Sequence, residues 1–243
     1  MISFLKTLLD IVLPPRCGYC GKIVSSDKSV CSDCFSKIHF ISTPYCQICG
    51  APFENETEIA ESSHLICPDC ISKKHLTRLN RSCIIYDDFS KKALLDFKFN
   101  DKILLSKLFA KWLQIGAQDI LKKGIDVIVP VPLSFRRILK RKYNQSALLA
   151  YDLSKLIDIP VLPHTLIKTR HTKPQASLSE NFRLKNVKNA YAVKNPVQVK
   201  GKRILLIDDV MTTGSTLNEC AKTLLKAGAK SVDTLTVART LKK

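Results

Sequence analysis

From residue 84 onward the chain alternates between two rhythms of apolar and polar positions. Short continuous apolar runs, as expected of strands buried on both faces of a sheet, begin at Ile84, Ile85 and Tyr86 and return at 125–131, 202–207 and 231–238. Between them apolar residues recur every three or four positions, the stripe that a helix turns toward a core. Leu104, Leu105, Leu108, Phe109, Trp112 and Leu113 trace one such helix, which stops near Lys122 and Gly124. Residues 146–156 trace another. Leu217, Ala221, Leu224 and Leu225 supply the buried face of a third, spanning 215–227 and ended by Gly228. Strands alternating with helices predict an α/β domain with a mostly parallel sheet and helices on both faces. The first eighty residues lack this rhythm. Phe4, Leu5, Leu8, Leu9 and Val12 have helical spacing, which predicts a short amphipathic helix packed on its own protein. Lys6 and Asp10 interrupt that run, so it is not read as an export signal, and no stretch has the length of a membrane span.

What organises the N-terminal third is cysteine. Eight of the ten cysteines form Cys-x-x-Cys pairs: Cys17/Cys20, Cys31/Cys34, Cys46/Cys49 and Cys67/Cys70. Each pair places two sulfurs on one tight turn, which is half of a tetrahedral zinc site, so four pairs imply two structural zinc ions. An internal repeat suggests the grouping, since Cys17-Gly-Tyr-Cys20-Gly21 resembles Cys46-Gln-Ile-Cys49-Gly50 and Cys31-Ser-Asp-Cys34 resembles Cys67-Pro-Asp-Cys70. Sequential sites, Cys17/20/31/34 and Cys46/49/67/70, follow from that repeat and from the lower closure entropy of short loops; a crossed pairing of first with third and second with fourth stays open. Full thiolate ligation leaves no position for a reacting water, so the metals support structure. Cys83, in an apolar strand, and Cys220, on a buried helix face, read as inert core thiols. The change of pattern divides the chain into an N-terminal helix and zinc-ribbon module, 1–78, and an α/β domain, 79–243, joined by a basic connector around 73–81.

At 243 residues the chain is long enough for one ordinary domain plus a small one. Its formal charge of +18 is unevenly spread. Residues 127–207 hold sixteen basic and three acidic side chains, so thirteen of the eighteen excess charges fall in one third of the chain. A polyanionic partner follows, either clustered phosphates or a nucleic-acid backbone.

The segment ILLIDDVMTTGST, residues 204–216, carries the chemistry. An apolar strand delivers Asp208 and Asp209 to its tip, and Thr212, Thr213, Gly214, Ser215 and Thr216 then open a helix. A carboxylate pair suits the two vicinal hydroxyls of a ribose, and the amides of a helix start suit its 5-phosphate. In a doubly wound sheet a ligand sits beyond the carboxyl ends of the strands, where Val131, Pro132 and Leu133 also fall. These lead to Arg136, Arg137 and Arg141, cations for a pyrophosphate on C1, with Mg²⁺ bridging it. Lys168, Arg170 and Lys173 form a basic stretch able to close over that group.

This segment resembles the phosphoribosyl-pyrophosphate signature of type I phosphoribosyltransferases. Together with the four cysteine pairs, Pro130-Val-Pro-Leu-Ser-Phe-Arg-Arg, Arg141-Lys-Tyr-Asn-Gln145, Thr172-Lys-Pro-Gln175 and Arg183-Leu-Lys-Asn186, it resembles the ComF/GntX family of competence-associated proteins. That family usually shows Arg-Gly-Phe-Asn-Gln where this chain has Lys142 and Tyr143. The resemblance implies a type I phosphoribosyltransferase-like sheet preceded by a small zinc-ribbon domain, in a cytoplasmic protein that handles single-stranded DNA during natural transformation. Competence or recombination proteins are its implied partners. Phe135, Tyr143, Phe182 and Tyr191, spaced among basic residues, are candidates for stacking on bases. Two alternatives accompany this reading: an active phosphoribosyltransferase with an unidentified acceptor, and an adaptor whose zinc module docks a partner protein.

Overall fold

The computed structural model describes residues 14–25, 30–53, 65–72, 75–170 and 187–241, the Lys140 side chain excepted. Two short helices, α1 (Ser32–Phe35) and α2 (Pro68–Ser72), belong to the cysteine-rich region. The body follows as β1 (Asn80–Ile85), α3 (Asp88–Phe99), α4 (Leu105–Gly116), α5 (Gln118–Lys122), β2 (Val127–Pro130), α6 (Phe135–Arg141) and α7 (Gln145–Ile157). It continues with β3 (Leu166–Lys168), β4 (Tyr191–Val193), β5 (Arg203–Met211), α8 (Ser215–Lys226) and β6 (Ser231–Arg239). The central sheet is parallel throughout, in the order β1-β6-β5-β2, and β3 pairs antiparallel with β4 in a separate ribbon.

Helices cover both faces, as the alternation predicts. On one, Leu205, Ile207, Leu235 and Val237 pack with Phe109 and Leu113 of α4 and with Leu149 and Leu153 of α7. On the other, Ile204, Leu206 and Val232 meet Leu217, Cys220, Ala221 and Leu224 of α8. Burial on both faces explains why β5 reads as an unbroken apolar run. Cys83 and Cys220 are buried thiols, as expected, and burial pushes both well up from the ordinary range.

The structure departs from the sequence reading in several places, among them the helix traced from Leu104 toward Lys122, which breaks at Ala117 into α4 and α5; three others have a clear physical reason. β5 does not stop at Ile207: Asp208 pairs with Thr236 and Met211 with Arg239, so the acid pair lies inside the strand. An apolar run marks where a strand is buried, whereas its end is set by the length of its neighbour, here β6. The basic connector around 73–81 is partly strand, and its arginines are ion-paired. Arg78 grips the fully buried Asp233 and Arg81 reaches Asp119 at 2.6 Å. Composition cannot distinguish a solvated charge from one paired across the fold. The third of these is α3, which the sequence reading does not assign although Phe89, Ala93, Leu94 and Phe97 fall at helical spacing; a reciprocal capping box between Asp87 and Ser90 starts it, and Ala93, Leu94 and Phe97 bury its face.

The cysteine-rich region straddles the free edge of β1. Phe40 bridges to Ile84, and the bonds Ile41 N–H to Cys83 O (2.9 Å) and Ile85 N–H to His39 O (2.9 Å) cap an edge that would otherwise invite pairing with another chain. On the α4 side Phe40 meets Trp112 edge-on at 5.2 Å, and Tyr19 stacks on Phe89 of α3 at 5.0 Å. Trp112 thus has the packing role expected of it. On the other side Asn80 N–H donates to Ile48 O at 2.8 Å, and the Arg81 and Arg239 guanidiniums donate to Gln47 O and Cys49 O at 2.9 and 2.6 Å. A shared apolar cluster contains Cys17, Tyr19, Cys34 and Ile38 beside Leu79, Ile84, Phe109 and Leu113, so the two regions fold as neighbours with one core. The N-terminal segment 1–13 lies outside the described residues.

Candidate functional site

Two tetrads of cysteine stand ready for metal. The sulfurs of Cys17, Cys20, Cys31 and Cys34 lie within 4.8 Å of one another, as do those of Cys46, Cys49, Cys67 and Cys70. These are the sequential groupings that the internal repeat favours over crossed ones. The donor set fits zinc: four thiols per site, with backbone amides already directed at sulfur, from Cys31 to Cys17 at 3.5 Å and from Cys67 to Cys46 at 3.4 Å. Burial pushes the Cys17 and Cys46 thiols upward, but backbone N–H donors outweigh it and hold them at about 6 and about 7. Cys34 and Cys70 shift the other way, through burial and the neighbouring thiols. A thiolate beside a thiol is the arrangement that a divalent soft cation completes.

The second cluster forms where β2 and β5 leave the sheet. Asp209 is 8% exposed, and one of its carboxylate oxygens meets Lys98 Nζ, from the end of α3, at 3.0 Å. Asp208 accepts the Ser146 hydroxyl of α7 at 2.9 Å and the Asp209 amide at 2.9 Å. Burial, reinforced by the charge of Asp209, raises its carboxyl to about 7 against these two donors. The turn that follows joins hydroxyls to a helix start. Gly214 adopts φ +72 as the N-cap of α8, a left-handed conformation that glycine takes without strain. The Thr213 and Ser215 hydroxyls meet at 2.7 Å, above the first-turn amides of a twelve-residue helix.

Cations gather opposite these acids. Arg141 stacks over Phe99 at 4.6 Å; burial lowers its pKa while Asp209 and Asp208 raise it. Lys168 lies 5.2 Å from the centre of the Tyr191 ring, and burial, with Arg137 nearby, depresses its ammonium to about 8. Arg137 therefore shares the site with Arg141 and Lys168. Val131 is buried with its amide on Ile207 O at 2.9 Å, and Pro132 and Leu133 line the same strand end half-buried. Two expected cations stand apart: Arg136 is exposed, and Arg170 donates to Lys188 O at 2.7 Å. Lys173 lies outside the described residues. Lys142 takes φ +66 at the C-cap of α6, so the left-handed backbone of a usual glycine is kept here by a lysine.

Of the four aromatics proposed for stacking, Phe135 is 73% exposed. Tyr191 is buried, Tyr143 donates its hydroxyl to Phe97 O at 2.7 Å, and Phe182 lies outside the described residues. Phe99, 52% exposed, was not anticipated. Nor was Lys98, whose only sequence signal is an Asp-x-x-Ser cap eleven residues upstream.

A parallel sheet covered on both faces, with acids and a phosphate-type turn at its carboxyl end and two thiol tetrads on its edge, defines a phosphoribosyltransferase-type domain carrying a double zinc ribbon. Family comparison agrees: the double zinc ribbon domain matches residues 8–71 and the phosphoribosyl transferase domain residues 143–243. Competence protein F of Haemophilus influenzae is 32% identical over 234 residues, 92% of this chain and 96% of that protein. Competence protein ComFC of Bacillus subtilis is 33% identical over 218 residues, 89% and 87% of the two chains. DNA utilization protein YhgH of Escherichia coli is 42% identical over 116 residues, about half of each. The chain belongs to the competence protein F/ComFC family. No helix among the described residues is long and apolar enough to cross a membrane.

Proposed function

We propose that this chain is a cytoplasmic competence protein that handles single-stranded DNA during natural transformation, with a site for phosphoribosyl pyrophosphate and Mg²⁺ in its phosphoribosyltransferase-type domain. The observation that carries the ligand is the convergence on one turn of an acid pair, two hydroxyls with helix-start amides, and the cations Arg137, Arg141 and Lys168. Asp208 and Asp209 take the ribose hydroxyls, and residues 212–216 take the 5-phosphate. Val131, Pro132, Leu133, Arg137 and Arg141 face the pyrophosphate, whose remaining charge Mg²⁺ neutralises. Exposed Arg136 and Phe135 lie on α6, whose last residue Arg141 stacks over the half-exposed ring of Phe99, a surface suited to a single strand. The relatives' names, competence proteins and a DNA utilization protein, support the cellular role.

Within this reading the described part of the zinc-ribbon module braces the phosphoribosyltransferase-type domain, because Phe40 bridges to β1 and Cys17, Tyr19, Cys34 and Ile38 share its core. Deleting 1–75 would therefore unfold the body before it could reveal an adaptor function. Calorimetric titration of the full chain with phosphoribosyl pyrophosphate and Mg²⁺ tests the ligand, and absence of heat at millimolar concentration overturns it. Filter binding of single-stranded DNA across a salt series tests the second partner. Affinity should fall steeply with salt, and no retention at low salt refutes it. Release of pyrophosphate across a panel of bases and amines would establish the transferase alternative.

A further inference from the structure

The acid pair is not a bare pair. The Ser146 hydroxyl and the Asp209 amide both reach Oδ1 of Asp208, and Lys98 reaches Oδ1 of Asp209, with the Lys98 and Asp209 side chains only 18% and 11% exposed. All three of these contacts engage Oδ1, which leaves Oδ2 of each carboxylate as the oxygen a ligand would meet. Each acid is thus held through its Oδ1.

Lys98 reaches Asp209 from the last turn of α3, where a helix frays and a four-carbon stem has entropy to lose. The structure counters this with the segment between α6 and α7. Arg141 stacks on Phe99, Lys142 pairs with Asp101 at 2.9 Å, Tyr143 donates to Phe97 O at 2.7 Å and Gln145 donates to Lys98 O at 3.2 Å. Asn144 ties the same segment to Val131 O at 3.0 Å, and Arg141 braces Gln145 at 3.1 Å. A stretch that resembles a family signature therefore acts here as a clamp, holding a lysine from a distant helix against the ribose-type acids. A fixed cation beside two adjacent carboxylates offsets their mutual repulsion, and occupying one oxygen of Asp209 orients the other.

We propose that Lys98 is a positioning residue of the acid pair: clamped by residues 141–145, it presents Oδ2 of both carboxylates as acceptors for a vicinal diol, and so selects ribose phosphates over 2-deoxyribose phosphates. This rests on the ribose-phosphate reading of the site. It also separates the two ligands. The sugars of a DNA strand lack the 2-hydroxyl, so a bound strand has no claim on Asp208 and Asp209 and must lie elsewhere on the basic surface.

The test is calorimetry of the zinc-loaded full chain with ribose 5-phosphate and with 2-deoxyribose 5-phosphate. Wild type should prefer the ribo sugar by roughly tenfold or more, since buried acceptors left unpaired penalise the deoxy analogue. Lys98→Met should weaken ribose 5-phosphate by roughly thirtyfold, the scale for truncating one partner of a buried charge pair, and change 2-deoxyribose 5-phosphate little, erasing the preference. Lys98→Arg should restore part of it, and Lys98→Met should cost nothing further when added to Asp209→Asn. Should Lys98→Met fold poorly, Gln145→Ala keeps the lysine, releases its carbonyl and should reduce the preference. Full preference in either variant, or equal loss for both sugars, overturns the proposal. Silence of wild type toward both sugars would instead remove the ribose-phosphate reading beneath it.

Discussion

Gly21 and Gly50 follow the second cysteine of their respective repeats and share a left-handed backbone, φ +79 and +65, yet they differ in what surrounds them. A Cβ on Gly21 would meet nothing within 4 Å, whereas one on Gly50 would stand 2.5 Å from the backbone oxygen of Asn80. Gly21→Ala should therefore cost only the left-handed penalty, about 1 kcal/mol. Gly50→Ala pays the same and must also move the second knuckle off β1, straining the bonds from Asn80 N–H to Ile48 O and from Arg239 to Cys49 O. Two such bonds at about 1 kcal/mol each bring its cost to about 3 kcal/mol. For a chain of this size that is a fall in Tm of about 6–12 °C, against about 2–4 °C for Gly21→Ala. The assay is thermal unfolding of both variants, with zinc content measured to confirm that the tetrads remain filled. Equal shifts for the two variants, with zinc retained, would refute the idea that the second knuckle is seated on the sheet by close backbone contact.

Asp208 gives a pH signature. Its folded carboxyl titrates at about 7, up from an ordinary value of 3.8. Below about pH 4 both folded and unfolded chains hold the proton; between 4 and 7 the unfolded chain releases it first, so stability falls through that window and stays lower above it. Asp208→Asn should thus raise Tm at pH 8, by the equivalent of about 1–2 kcal/mol once its partial exposure to solvent is discounted, and have no effect at pH 4. A gain that is the same at both pH values would contradict this. Zinc removal should reach the single tryptophan, because Phe40, on the strand-edge segment of the zinc region, packs on Trp112. Chelation should shift Trp112 emission to the red, and complete zinc release with unchanged emission would show that the region's packing does not depend on metal.

Much of this protein was legible without coordinates because its signals are local. Cysteines two apart must share a turn, and the repeat of Cys17–Gly21 at Cys46–Gly50 favoured the sequential tetrads found. The strand and helix around residues 204–226 followed from period alone. The extent of β5 did not follow, because β6 sets it. The fate of Arg78 and Arg81 did not either, because Asp233 and Asp119 lie far along the chain.

The sequence by itself determined the main strands and helices of the body, the grouping of the cysteines into two tetrads and the acid-and-hydroxyl character of residues 208–216, since each depends on neighbours a few positions away and on side-chain chemistry. Tertiary structure alone decided what stands opposite those residues. Lys98 lies over a hundred residues from Asp209, and only the packing of residues 141–145 against the end of α3 brings its ammonium to 3.0 Å from that carboxylate. An ion pair between distant segments leaves no period or spacing to read; it exists because the fold brings two ends together and excludes most of the water between them.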